Sequence, residues 1–266
     1  MKTAKNFYSN KNIVIIGATG GIGNSFAELL HKQNARLILV GRDKTKLDKT
    51  LANANNVIRF ECDLTNLKQI ESFLSNVEST AGPIDISINL AGYDLMKRYN
   101  ETDKEDIVSA CRLNLEGPAY YIKLLAEKMQ KRDCGIIANI NCFGNGLIPL
   151  PYFSIDSASR AGIATYMRAV KKEFGKTNVR FGQFTPPYCL SEAEKNRASA
   201  RVWDSLNVKP FSPEYIAEWT LTKIADGRNE FMDFTEKLLL IMGKVCPRMA
   251  DIFGFNRIER AVVKYM

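Results

Sequence analysis

The sequence predicts an α/β protein built on one doubly wound, mostly parallel sheet with helices on both faces. Three features predict it. Short apolar runs alternate with segments of helical spacing along most of the 266 residues, and such alternation builds a parallel sheet covered on both sides. The apolar runs are continuous rather than alternating, as strands buried on both faces require. A glycine-rich turn, GATGGIG at 17–23, joins the first run to the first helical segment.

The elements follow in order. NIVIIG at 12–17 is the first strand and GIGNSFAELLHKQNA at 21–35 the first helix. RLILVG at 36–41 and DKTKLDKTLANA at 43–54 repeat the pair. NVIRFECD (56–63), LKQIESFLSNVESTAG (67–82) and PIDISINLAG (83–92) continue as strand, helix and strand. Helices are expected at about 103–115 and 117–132, a fifth strand at CGIIANIN (134–141), a long helix at about 156–175 and a sixth strand at NVRFGQFT (178–185). On the long helix Ile163, Ala164, Met167 and Val170 recur at helical spacing, which serves a core or a subunit interface equally well. After about residue 186 the pattern gives way to a loop and two helices, a region that in such folds covers the ligand crevice. There is no repeat at solenoid periods and no low-complexity linker. The length fits a single domain, 1–266, with a core at about 11–230 and an apolar, basic C-terminal extension at 231–266.

Hydrophobic residues make up 45% and charged residues 25%, ordinary for a chain that buries a core. A formal charge of +8 favours anionic partners: nucleotides, acyl-carrier proteins or a membrane surface. No Lys/Arg run interleaved with aromatics argues for nucleic acid. Six scattered cysteines without a CxxC pair, and His31 as the only histidine, give no expectation of a metal site. Such thiols fit a reducing compartment, and a cytoplasmic location is expected. MKTAKNFYSNK at the N-terminus lacks the apolar stretch of a secretory signal, and LLLIMG near the C-terminus is too short to span a bilayer.

In GATGGIG, Gly17, Thr19, Gly20, Gly21, Ile22 and Gly23 sit between a strand and a helix. Glycines there let the backbone turn sharply and approach a pyrophosphate, which the free amides of the helix N-terminus then bind. The spacing Gly17, three residues, Gly21, one residue, Gly23 resembles that of the short-chain dehydrogenase/reductase family. Further segments carry the same resemblance. CDLT at 62–65 resembles the family segment whose aspartate, here Asp63 beside Leu64, contacts adenine. NLAG at 89–92 is similar to the family's Asn-Asn-Ala-Gly, with Asn89, Ala91 and Gly92 matching and Leu90 departing. VRFGQFTPPY resembles the strand and Pro-Gly turn facing the nicotinamide; Pro186 matches, Pro187 replaces glycine, and Ser191 falls where a Thr or Ser holds the carboxamide. The resemblance covers about 11–230 and implies a Rossmann-type sheet and a nicotinamide cofactor. An acid at the end of the second strand would bind the ribose 2′-hydroxyl. Here that position is Gly41, with Arg42 next and Lys44 nearby. A guanidinium suits a 2′-phosphate, so NADP(H) is expected over NAD(H).

The family's chemistry uses a tyrosine acid, a lysine four residues on, a serine and an asparagine. RLNLEGP carries Asn114 at the asparagine position. The ungapped match through SASRAGIATYMRAVKKEFG puts Asp156 at the tyrosine and Arg160 at the lysine, which in the family also holds the cofactor ribose. The serine maps to Cys142, or to Phe143 if the loop shifts by one. A second register reads Tyr152 as the tyrosine and Asp156 as the lysine, at the cost of four extra residues in the helix. Asp156 and Arg160 stand at i and i+4, where they pair, and pairing is expected to hold the carboxylate charged. A carboxylate donates no proton, and its charge opposes a developing alkoxide. Three readings stay open. One is an NADP-linked oxidoreductase of carbonyl or 3-oxoacyl compounds with impaired or altered chemistry, in which Tyr152 or Tyr188 could replace the acid. Another is a non-catalytic nucleotide-binding or partner-stabilising subunit. The third is a dehydration or isomerisation with Asp156 as base. The resemblance further implies a homodimer or tetramer through the long helices. The extension at 234–266, with six Lys/Arg against three Asp/Glu, could close over an acyl substrate, pack on the protein or touch a membrane surface.

Overall fold

The computed structural model describes residues 6–141, 151–191, 198–232, 234–246, 248 and 256–265. Its strands are β1 (Asn12–Ile16), β2 (Arg36–Gly41), β3 (Val57–Glu61), β4 (Ile86–Asn89), β5 (Gly135–Ile140), β6 (Val179–Thr185) and β7 (Glu230–Met232). They form one sheet in the order β3-β2-β1-β4-β5-β6-β7, every neighbouring pair parallel. The chain runs outward from β1 to β3, returns past its start to β4, and runs outward the other way. The reversal lies between β1 and β4, with Ile16 opposite Val40 on one side and Asn89 on the other. At that switch point the connections diverge, and the fold opens its crevice beyond the C-terminal strand ends.

The helices are α1 (Gly21–His31), α2 (Lys44–Lys49), α3 (Leu67–Ala81), α4 (Lys104–Cys111), α5 (Gly117–Lys131), α6 (Ser154–Glu173), α7 (Ala198–Ser205), α8 (Pro213–Ala225), α9 (Phe234–Val245) and α10 (Asn256–Tyr265). The period-two geometry of the strands divides the core between the two sheet faces. Val14, Ile16, Ile38, Val40, Ile137 and Phe181 point toward α3, α5 and α6. Ile13, Ile15, Leu37, Leu39, Ile88 and Phe184 point toward α1 and α8. Ile163, Ala164 and Met167 are buried within the single chain, which makes this stripe of α6 core rather than exposed interface.

The structure departs from the sequence reading at several elements. It has a seventh strand, whose three residues are too few to show a period but which extends the edge of β6 through Gln183, Phe184 and Thr185. The second helix stops at Lys49, because Arg59 binds the carbonyls of Leu47, Thr50 and Leu51 and Leu51 adopts a left-handed φ of 51°. The helix expected at 103–115 ends at Cys111 and continues into α5 through a π-helical turn, Arg112–Glu116. α6 begins at Ser154, two residues earlier than expected.

Tyr8 ties the N-terminal segment to α8: it is fully buried, and its hydroxyl donates to the Leu221 carbonyl at 2.6 Å. Burial pushes this hydroxyl far above the usual tyrosine range, so it remains a protonated donor. Tyr8→Phe is expected to lower the stability by about 1 kcal/mol, read as a lower urea midpoint at unchanged slope.

Candidate active site

The glycine turn closes on itself at backbone distances. Gly17 has a φ of +80°, its amide donates to the Val40 carbonyl, and a Cβ there would stand 2.9 Å from the Ala91 nitrogen. A Cβ on Gly23 would stand 2.2 Å from the Gly17 carbonyl oxygen. Gly20 caps α1 with no side chain over the helix end, and the first turn holds no acidic residue. The first amides of α1 therefore present donors and a partial positive charge to an anion. A Cβ on Gly21 would meet the Ser191 side chain at 2.4 Å, so the segment after β6 folds back onto this turn. Ser191 is buried there, close to the dinucleotide turn. Pro186 is buried directly after β6, while Thr19 and Ile22 are half-buried along the turn.

At the end of β2, a Cβ on Gly41 would stand 3.2 Å from Thr19 Cγ2 and 3.4 Å from Leu47, so these two side chains would have to shift slightly to admit one. Arg42 is exposed and makes no ion pair among the described residues. Asp43 is engaged instead in capping α2, accepting from the Lys46 amide at 3.0 Å. Asp63 accepts from the Thr65 amide and hydroxyl, both at 2.8 Å, and Leu64 is buried. The Leu64 carbonyl lies against Gly117, where a Cβ would come within 2.0 Å of it.

A chain of buried amides runs beneath the crevice from β4 to β6. Asn89 Oδ1 accepts from the Ala91 amide, Asn89 Nδ2 donates to Asn139 Oδ1 at 2.8 Å, and Asn139 Nδ2 donates to Gln183 Oε1 at 3.2 Å. This chain holds the NLAG turn against the sheet. Beyond it, Gly92 faces Arg160: a Cβ would meet both terminal guanidinium nitrogens at 3.2 Å.

Asp156, Arg160 and Asn114 come together as one cluster. Arg160 Nε donates to Asp156 Oδ1 at 2.9 Å, with the side chains 12% and 5% exposed. Arg160 also donates to the Tyr93 carbonyl at 3.3 Å. Asn114, buried on the π-helical turn, accepts from the Tyr93 amide at 2.7 Å and donates to the Tyr93 carbonyl at 2.9 Å. It reaches Ser159 Oγ at 3.1 Å and Asp156 Oδ1 at 3.4 Å. The ion pair forms as its i, i+4 spacing predicts, and Arg160 pulls the carboxyl down as a paired cation should, but burial outweighs it. Burial pushes Asp156 above the usual carboxylate range, against the pull of Arg160 and with added repulsion from Asp94.

Both tyrosines offered as substitutes pack against α7 or α10. Tyr152, at a left-handed φ of 69°, packs with Met96, Val202, Ala261 and Val262, and its carbonyl accepts from the Lys97 amide. Tyr188 packs on Trp203 with ring centroids 5.7 Å apart. With Leu190, Ala200, Arg201, Asp204, Val208 and Pro210 it lines a cavity of about 220 Å³. Cys142 and Phe143 lie outside the described residues.

A short chain dehydrogenase family model matches residues 11–201, well over half of the chain. The chain belongs to the short chain dehydrogenase family. It is 28% identical over 216 residues to an uncharacterized oxidoreductase of Staphylococcus aureus, covering 80% of this chain and 90% of that one. It is 25% identical to a ketoacyl reductase from a Nostoc species, covering 91% and 88% respectively. In structure it is similar to a short-chain dehydrogenase from Streptomyces avermitilis, with a TM-score of 0.78 at 20% identity, covering 95% and 98% of the two chains.

Short chain dehydrogenases are oxidoreductases that bind nicotinamide nucleotides, small-molecule substrates and often one another. The residues present fit the nucleotide: the turn at Gly17 and Gly23 packs backbone on backbone with no room for a Cβ, directly before a helix end with no side-chain cap and no acid in its first turn. Several residues that shape the site escaped the sequence reading. Ser159 shares a helix face with Asp156 and Arg160, so its spacing could have shown it. Asn139 and Gln183 are polar residues inside apolar strands, a usable signal, since buried amides need partners. Tyr93 acts through its backbone, which carries no side-chain signal at all.

Proposed function

We propose that this short chain dehydrogenase binds NADP(H) in preference to NAD(H) and is impaired in ordinary carbonyl reduction. The observation that carries this reading is the buried Asp156–Arg160 ion pair, at 2.9 Å, at the positions that match the family's tyrosine and lysine. Gly17, Gly20, Gly21, Ile22 and Gly23 hold the pyrophosphate, with Thr19, Asp63, Leu64, Asn89, Ala91, Gly92, Pro186 and Ser191 lining the rest of the site. Arg42, exposed beside Gly41 at the position where an acid would select NAD, binds the 2′-phosphate. The bound nucleotide would supply or accept a hydride. A carbonyl receiving hydride also needs a proton at its oxygen. The Asp156 carboxyl is 4% exposed and engaged by Arg160, Asn114 and the Leu95 amide, so it is poorly placed to give one. The same burial disfavours its use as a base. The Asn114 side chain is held by the Tyr93 backbone on both its amide atoms. The similarity to a ketoacyl reductase supports a 3-oxoacyl carbonyl as the substrate class. Residues 1–266 are read as one domain of a cytoplasmic homodimer or tetramer.

The test separates binding from turnover. NADPH should saturate the protein in a fluorescence titration, while NADPH oxidation with 3-oxoacyl thioesters stays at the rate without protein. Turnover at ordinary enzymatic rates would overturn the impaired-chemistry reading. Arg42→Ala should weaken NADPH binding by about 10- to 100-fold, the worth of one charge-assisted contact, and leave NADH unchanged. Equal weakening of both nucleotides would remove Arg42 from the phosphate site.

A further inference from the structure

The C-terminal segment divides into two helices with different surroundings. α10 packs on α7 through Ala261 and Val262 against Val202, with Tyr152 and Tyr265 alongside. α9 has no such partner: among the described residues it packs against no element as extensively as α10 does against α7. On α9, Phe234, Leu238, Ile241 and Val245 are 77%, 47%, 58% and 79% exposed. Their spacing of four, three and four residues puts them on one face, so they form a single apolar stripe along the helix. With Val263 of α10 they make up five of the nine exposed large hydrophobic residues among the described residues, so the described apolar surface is concentrated in this segment.

We propose that α9 lies flat on an anionic phospholipid surface, with the stripe from Phe234 to Val245 inserted at the boundary between headgroups and acyl chains. The charge around it favours this occupant. In this segment the exposed cations are Lys237, Arg248, Arg257, Arg260 and Lys264, against Glu259 as the exposed acid among the described residues. A helix with an apolar stripe and basic surroundings binds by burying the stripe while its cations meet anionic headgroups. A second copy of this chain is the poorer occupant, because it would bring a second excess of positive charge to the same face of a molecule already at +8. Among the described residues no helix is long and apolar enough to cross a membrane. The 12 residues of α9 span about 18 Å against a hydrocarbon core of about 30 Å. The helix therefore lies along the surface instead of spanning it.

The experiment is co-sedimentation of the full chain with vesicles of equal parts phosphatidylglycerol and phosphatidylcholine, and with phosphatidylcholine alone. Binding to the anionic vesicles is expected, several-fold weaker without phosphatidylglycerol. Leu238→Ser/Ile241→Ser keeps the charge and should weaken binding at least tenfold, with an unchanged circular dichroism spectrum. Phe234→Ser/Val245→Ser serves as a second variant at the two most exposed positions, should the first fail to fold. Absence of binding to anionic vesicles would overturn the proposal, as would binding that both variants retain. So would a wild-type dimer in light scattering that the variants convert to monomer while vesicles stay unbound, since a second copy would then cover the stripe.

Discussion

Gly23→Ala is expected to abolish NADPH binding, with no saturation at nucleotide concentrations 100-fold or so above the wild-type Kd. The added Cβ would stand 2.2 Å from the Gly17 carbonyl and 2.9 Å from Ala18 Cα. Both are backbone atoms, so no side-chain rotation relieves the clash. Either α1 moves away from the turn or the turn opens, and each separates the helix amides from the position of the pyrophosphate. Gly17 cannot compensate, because its amide is bonded to the Val40 carbonyl and its own φ of +80° is fixed by the turn. The measurement is a fluorescence titration paired with a thermal melt. A variant that melts cooperatively but binds no nucleotide places the loss in the turn. Wild-type affinity in a folded variant would refute this account of the cradle.

Arg160→Met is expected to destabilise the protein by about 3–5 kcal/mol at pH 7.5, because it leaves the Asp156 carboxylate buried without its cation. The effect depends on pH with a definite sign. Burial already raises the Asp156 carboxyl above its unfolded value of about 3.9. Ionising it therefore costs stability in the fold. Its favourable contribution is complete below about pH 4 and is lost as the pH rises through the raised value. Arg160 opposes that rise, so without it the carboxyl climbs further and the deficit of the variant widens with pH. Urea melts at pH 5 and pH 7.5 measure this, and the difference between wild type and variant should be smaller at pH 5. Asp156→Asn/Arg160→Met removes the charge altogether and should recover much of the loss. A pH-independent deficit that Asp156→Asn fails to relieve would show that Arg160 acts through packing on Gly92 alone.

Much of the fold is legible in local sequence. NIVII, RLILV and GIIANI read as buried strands because short, largely apolar runs of five or six residues rich in β-branched side chains and bounded by glycine or polar residues suit strands covered on both faces. β7 was missed because three residues show no period, and it exists only because β6 offers an edge for Glu230–Met232 to pair with. The early stop of α2 has the same character: Arg59, on the following strand, takes the carbonyls that would have continued the helix.

The candidate site divides along the same line. The sequence by itself determined the glycine turn, the parallel α/β order, Arg42 after β2 and the i, i+4 pair of Asp156 and Arg160, because each depends on residues adjacent along the chain or on one helix. Only the tertiary structure decided the protonation tendency of Asp156, since burial is set by residues from three segments of the chain: Tyr93 to Leu95, Asn114 and Ser159. It also decided that Tyr152 packs beside α10, that Asn114 is taken up by the Tyr93 backbone, and that α9 leaves its apolar stripe uncovered. Local spacing specifies which side chains share a face. What that face meets, and how much water remains around it, depends on segments that come together only when the chain folds.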